Sequence, residues 1–302
     1  MVTPEDAIAA VHDTFGAHPG YRALHAKGFL YSGQFTATPE AAGLSRAAHF
    51  DGNAVPALIR FSNGSGDPEA ADSRPTVRGM AVKLTLPDGS TTDISAQTAR
   101  LFVANSPDGF VEFVRAAKPS AASGYRFAKF AARNPEVFRG LRQNAVAAKI
   151  PAGYSTVEYH ALHAFRFVNA AGESRYVRYH WIPVDGEEFV SLLAARSKPR
   201  DFLTEEFDSR LARGPVRFKL QTQLAGPDDS SVDPSAPWSS DERVDLGTLE
   251  ITGIETERER DGEVIVFDPM NVTDGIEPSD DPVLHFRSKA YSISVGLRIK
   301  GA

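Results

Sequence analysis

Glu158-Tyr-His-Ala-Leu-His-Ala-Phe-Arg-Phe-Val168, then Asn169-Ala-Ala-Gly172, then Arg175-Tyr-Val-Arg-Tyr-His-Trp-Ile-Pro183, is the stretch whose reading decides the fold. Aromatic and β-branched residues fill both long runs, and a polar turn ending in Gly separates them, so it reads as the clearest β-hairpin of the chain. On that reading His160 and His163, three residues apart, point to opposite faces of one strand. Further strands follow the same logic. Ala57-Leu-Ile-Arg-Phe61 stops near Asn63-Gly-Ser-Gly66, and Gly79-Met-Ala-Val-Lys-Leu-Thr-Leu86 stops at Pro87-Asp-Gly89. Arg217–Leu224 and Arg243–Thr252 add two more. Helical pieces are expected between Phe110 and Ala148 and around Ser191–Leu211, and a polar, Pro-rich loop starts at Ala225. The parts fit an α+β fold, an antiparallel β-barrel wrapped by helices and long loops, read as one domain over 1–302.

Residues 1–20 form an N-terminal helix and loop. Thr3 is the expected N-cap, Pro4 suits the first helical position, and Glu5 and Asp6 complement the helix dipole. Ile8, Val11 and Phe15 share a face. With no basic start and no apolar centre, this is not a secretory signal. No run approaches the ~20 apolar residues that cross a bilayer. The 302 residues carry 33 basic and 39 acidic side chains, net −6, and no basic stripe argues for nucleic acid or an anionic membrane. Cys is absent, which excludes disulfides, thiolate metal sites and a Cys nucleophile. The expected setting is cytoplasmic.

Three short runs carry chemistry: Arg22-Ala-Leu-His25-Ala-Lys-Gly28, Arg60-Phe-Ser62 and Arg287-Ser-Lys-Ala-Tyr291. Alone, each residue has a bland reading. His25 is a satisfied polar group, the arginines are surface cations, and Tyr291 is a core aromatic. There is no HExxH or comparable zinc spacing, Ser62 lacks a GxSxG elbow, and Asn63-Gly-Ser-Gly66 is not a phosphate loop. Together they supply a phenol able to ligate iron as phenolate, an imidazole able to act as a base, and several cations. That inventory suits a haem peroxide site.

The order of the runs is more specific than any of them. Arg22-x-x-His25-Ala-Lys-Gly28, Arg60-Phe-Ser62, Arg78-Gly-Met-Ala-Val-Lys83, His163-x-Phe165 with Val168-Asn169, Gly275-Ile-Glu-Pro-Ser279 and Arg287-x-x-x-Tyr291 follow in that sequence. From about Tyr21 to Arg298 the chain resembles the haem catalases, and its size resembles their small relatives, the catalase-related peroxidases. The resemblance implies a catalase-like antiparallel barrel without the C-terminal helical region of full catalases. It makes Tyr291 the axial ligand of haem iron, of the b type, and Arg287 the guanidinium on its phenolate. His25 becomes the distal base and Ser62 the hydroxyl that orients it. Arg22, Arg60 and Arg298 match cations that pair with haem propionates, while Phe102, Phe110 and His163 belong to the cofactor's surroundings.

There are departures. Gln97 in Asp93-Ile-Ser-Ala-Gln97-Thr98 stands where catalases carry a distal Asn, one methylene longer. Phe15-Gly-Ala-His-Pro-Gly-Tyr21 replaces a charged stretch before the distal His, and the run after Tyr291 differs. The resemblance therefore implies a haem peroxidase that reduces hydrogen peroxide or organic hydroperoxides with a small organic electron donor, with weak catalase activity beside it and a homodimer left open. Two other functions belong to the same fold: a lipid-hydroperoxide isomerase or dehydratase, and a non-catalytic haem-binding barrel.

Overall fold

The computed structural model describes residues 1–140, 143–255 and 264–300. Helix α1 (Pro4–Phe15) comes first, then β1 (Gly28–Ala37), the short α2 (Pro39–Leu44), β2 (Val55–Asn63), β3 (Arg78–Thr85) and β4 (Thr91–Gln97). Three helices follow, α3 (Pro107–Ala117), α4 (Ser123–Arg133) and α5 (Glu136–Gly140), then the short strands β5 (Ile150–Pro151), β6 (Tyr159–His160) and β7 (Phe165–Val168). After β8 (Ser174–Pro183) come β9 (Phe189–Val190), α6 (Leu192–Arg196) and α7 (Phe202–Leu211). The chain then runs through β10 (Val216–Leu224), β11 (Arg243–Glu255), β12 (Ile276–Pro278) and α8 (Pro282–Lys300).

The main sheet runs β10-β11-β1-β2-β3-β4-β6-β8, and β10 also pairs with β8, so the order returns on itself. This closes the expected antiparallel barrel and removes free edges from it. Its interior is filled by alternate residues of each strand, among them Phe35, Ile59, Phe61, Met80, Trp181 and Phe218, all fully buried. The clearest hairpin is more broken than the sequence suggests. β8 pairs with β6 through Tyr159 and His160, and separately with β7 through Phe165–Val168. Residues 161–164 lie between the two. β6 stays in the barrel wall against Gln97 of β4, whereas β7 turns to pair with β12. His160 and His163 are therefore not alternating residues of one strand. His160 meets His180 (Nδ1···Nδ1 2.8 Å), and His163 leaves the ladder for other partners.

A second, smaller core lies outside the barrel. Ile8 and Val11 of α1 and Val111 and Val114 of α3 pack with Phe286, Ala290 and Ile293 of α8. The start of α1 is built as its sequence suggests: Thr3 Oγ1 accepts from the amide of Asp6, whose carboxylate accepts from the amide of Thr3 (3.2 and 3.0 Å). This three-helix layer matters because α8 carries Tyr291.

Candidate active site

One lateral row of the barrel organises the first half of the site. Gly28 pairs with Ser62, Ser62 with Gly79, Gly79 with Gln97, and Gln97 with His160. Directly paired residues share a face. Their neighbours Phe61, Met80 and Tyr159 fill the barrel interior, so Ser62 and Gln97 face outward. His25, just before β1, lies over this row with Nδ1 3.0 Å from Ser62 Oγ. The row also explains two glycines. A Cβ on Gly79 would come within 2.6 Å of Ser62 Oγ and 2.8 Å of His25 Nδ1, and one on Gly28 within 2.4 Å of the Arg60 guanidinium. Both positions must stay bare for the imidazole and the guanidinium to occupy their places.

His25 is held in an unusual conformation. With φ at 55° it is the one non-glycine residue, among those described, in the left-handed region. Such a backbone costs on the order of 1 kcal/mol and persists where the surroundings over-determine it. Arg60 is part of those surroundings, since its Nη2 donates to the carbonyls of His25 (2.9 Å) and Ala26 (3.3 Å). Burial, then the positive charges of Arg60, Arg287 and Arg22, lower the His25 pKa to about 3. The imidazole is neutral at physiological pH, as a proton acceptor must be.

The second half is built on α8. Arg287 and Tyr291 are one helical turn apart, and Arg287 donates to the phenol oxygen from Nε (3.2 Å) and Nη2 (2.6 Å). Its Nη1 reaches His163 Nε2 at 2.8 Å, and His163 Nδ1 lies 2.6 Å from Asp281 Oδ2. Burial lowers the His163 pKa to about 4. Neutral His163 therefore donates from Nδ1 to the carboxylate and accepts at Nε2 from the guanidinium, which fixes its tautomer. Asp281 was not a candidate in the sequence reading. Its other oxygen accepts from the amides of Val283 (2.8 Å) and Leu284 (3.3 Å), so it also caps α8. The signal that marks it is Asp281-Pro282, an N-cap followed by the residue favoured at the first helical position.

The remaining candidates gather between the halves. Arg22 and Arg298 both donate to the carbonyl of Ile265, at 2.6 and 3.5 Å, which brings two positive charges to one place. Phe102 stacks on Phe110, with ring centroids 5.4 Å apart, and lies 6.3 Å from the His163 ring. The residues fit haem. Among the described residues no group of three or more His, Cys, Asp or Glu could hold a metal ion. Around a phenol oxygen already fixed by a guanidinium, the chain offers cations for carboxylates and aromatic rings for a flat macrocycle.

An outward-facing barrel row under a neutral imidazole, together with a guanidinium-bound tyrosine on a helix, makes up the candidate site on this antiparallel barrel. A catalase family model matches residues 19–302, and the chain belongs to the catalase family. It is 57% identical to the catalase-related peroxidase of Mycolicibacterium paratuberculosis, over 98% of this chain and 95% of that protein. It is 33% identical to the catalase-related peroxidase of Synechococcus elongatus, over 99% and 90%. A fungal catalase structure superposes with a TM-score of 0.83 at 21% identity, covering 96% of this chain, which spans 61% of that one. This last likeness concerns the fold.

Proposed function

We propose that this protein is a haem-dependent peroxidase that reduces hydrogen peroxide or an organic hydroperoxide with a small organic electron donor, catalase turnover being secondary. The observation that carries the reading is the Tyr291 oxygen, which accepts two hydrogen bonds from Arg287, a guanidinium whose charge also helps to lower the pKa of His25. The near full-length likeness to two catalase-related peroxidases supports it, and no specific observation favours the isomerase or the non-catalytic barrel. The proposed setting is cytoplasmic. Among the described residues no helix is long and apolar enough to cross a membrane.

Haem b, when bound, would supply the redox chemistry, carrying two oxidising equivalents from the peroxide to the electron donor. Tyr291 would ligate its iron, Arg22, Arg60 and Arg298 would be the cations for its propionates, and Phe102 and Phe110 would form part of its apolar walls. The chain's own residues do the rest. Ser62 engages His25 Nδ1 and leaves Nε2 as the free basic atom. At Nε2 the imidazole would take the proton from one peroxide oxygen and return it to the other as the O–O bond breaks and that oxygen leaves as water or alcohol; two electrons from the organic donor, with two protons, then turn the remaining oxygen into water. Gln97, beside Gly79 in the same row, would donate its amide N–H to the polarised peroxide. Arg287, braced by His163 and Asp281, holds its positive charge against the Tyr291 oxygen and would favour the phenolate.

The test compares oxygen release from peroxide alone with oxidation of a bulky phenol or azo dye, at matched enzyme and peroxide. Dye oxidation is expected to be the faster. Rapid oxygen release with negligible dye oxidation overturns the balance proposed here, and no turnover of either kind in haem-loaded protein overturns the enzyme reading.

A further inference from the structure

Behind the barrel row, on its other face, lies a charge cluster that the proposed reaction does not use. Asp72, in the loop from β2 to β3, is fully buried. Its Oδ1 accepts from Lys27 Nζ (2.7 Å) and Asn63 Nδ2 (2.7 Å), and its Oδ2 from the amide of Leu203 (2.9 Å). Its carbonyl accepts from Arg78 Nη2 (2.7 Å), and its amide donates to the carbonyl of Arg200 (2.9 Å). Lys27, also buried, makes a second ion pair with Asp201 at 2.5 Å.

The partners are not arbitrary. Asn63 follows Ser62, Arg78 precedes Gly79, and Lys27 is two residues beyond His25. Strand alternation turns Ser62 and Gly79 to the imidazole side and Asn63 and Arg78 to the other. The Asp72 carboxylate thus grips, from behind, two of the segments that hold the imidazole in front, through Lys27 and Asn63, while the backbone carbonyl of the same residue holds the third through Arg78. The amide of Asn63 donates to the carbonyl of Lys27 (3.1 Å), and Asn63 Oδ1 accepts from Tyr154 (3.3 Å), which locks the Ser62 segment to the His25 segment. His25 needs such a grip because its left-handed backbone does not hold itself. Two of the donors to this carboxylate, Lys27 and Asn63, are sequence neighbours of the site.

We propose that Asp72 is a positioning residue for the His25–Ser62 pair, acting through the contacts of its carboxylate with Lys27 and Asn63. The inference rests on reading His25 as the base. The experiment uses haem-loaded full-length protein and two stopped-flow readouts: reaction with hydrogen peroxide, and the pH profile of cyanide association, in which the distal base receives the ligand's proton without turnover. Asp72→Asn keeps the shape and removes the charge. Haem content and the ferric spectrum should match the parent, because the Tyr291 side is untouched. The peroxide step should slow by about tenfold, less than the ~10²–10⁴-fold expected from losing the base itself in His25→Ala, and the cyanide profile should shift in the same direction as in His25→Ala. A purely structural ion pair would lower the melting temperature and leave both readouts at parental values well below it. That outcome overturns the proposal. Parental rates in His25→Ala would instead overturn the base assignment. If Asp72→Asn does not fold, Asn63→Ala breaks the single arm to the Ser62 segment, and a peroxide rate within about twofold of the parent then rejects the proposal.

Discussion

The phenol of Tyr291 is the end of a chain of side chains that runs Asp281, His163, Arg287, Tyr291, each within hydrogen-bond distance of the next. Removing the oxygen leaves the chain without its last acceptor. Tyr291→Phe is expected to empty the site of haem or to leave a changed ferric spectrum; unchanged haem content together with an unchanged spectrum would contradict the ligand assignment. Absorption spectra and a haem assay of the purified variant decide it. Arg287 and Tyr291 were legible in the sequence because they stand one turn apart in a recognisable run, as were His25 and Ser62 in theirs. Asp281 was not, since its partner His163 is far away in sequence, and an Asp before Pro reads first as a cap. Asp72 was silent for the same reason. Its meaning lies in contacts with Lys27 and Leu203, and no local pattern announces those.

Among the elements, strands with long apolar runs and the capped α1 helix were readable, while β1, β4 and α8 were not assigned. β1 carries an irregularity between Ser32 and Gly33 where its pairing with β11 shifts. β4 is short and polar, and only its partners make it a wall strand. α8 is hidden by its own pattern: Tyr291, Ile293, Val295, Leu297 and Ile299 alternate with other residues as in a strand. The Asp281 cap and packing against α1 and α3 override that alternation. If this layer seats Tyr291, loosening it should weaken haem retention as well as stability. Val11→Ala, in the α1–α3–α8 cluster, should cost roughly 2 kcal/mol of stability and speed haem loss to an acceptor protein. Val177→Ala, in the barrel core, should cost a similar amount and leave haem loss near parental. Equal haem-loss rates in the two variants would show that the helical layer has no special part in holding the cofactor.

Across the whole molecule, burial holds several imidazoles neutral. Burial lowers His25 and His180 to about 3, His49 and His163 to about 4, and His160 well below its ordinary value. Each is neutral in the folded chain, whereas in the unfolded chain it takes a proton as the pH falls through ~6.5. Their contribution to stability is therefore complete above about pH 6.5 and is lost progressively as the pH falls toward 4, at a limiting slope of about 1.4 kcal/mol per pH unit for each group. Asp93 and Glu158, whose pKa values are raised chiefly by burial, work in the opposite direction at the acid end. His49 isolates the effect, because it lies away from the candidate site. It packs against Phe50, with ring centroids 4.1 Å apart, and Phe35, and neither of its ring nitrogens has a hydrogen-bond partner among the described residues. A phenyl ring at this position keeps the aromatic contacts, removes an unsatisfied buried donor and deletes one titration. His49→Phe should then be favoured over the parent by about 2 kcal/mol more at pH 5 than at pH 8, the linkage expected for a pKa lowered from 6.5 to about 4. Denaturant unfolding of both proteins at the two pH values measures this directly. A stability difference that is the same at pH 5 and pH 8 would mean that His49 does not titrate between the folded and unfolded states in this range, and that the acid sensitivity of the fold lies elsewhere.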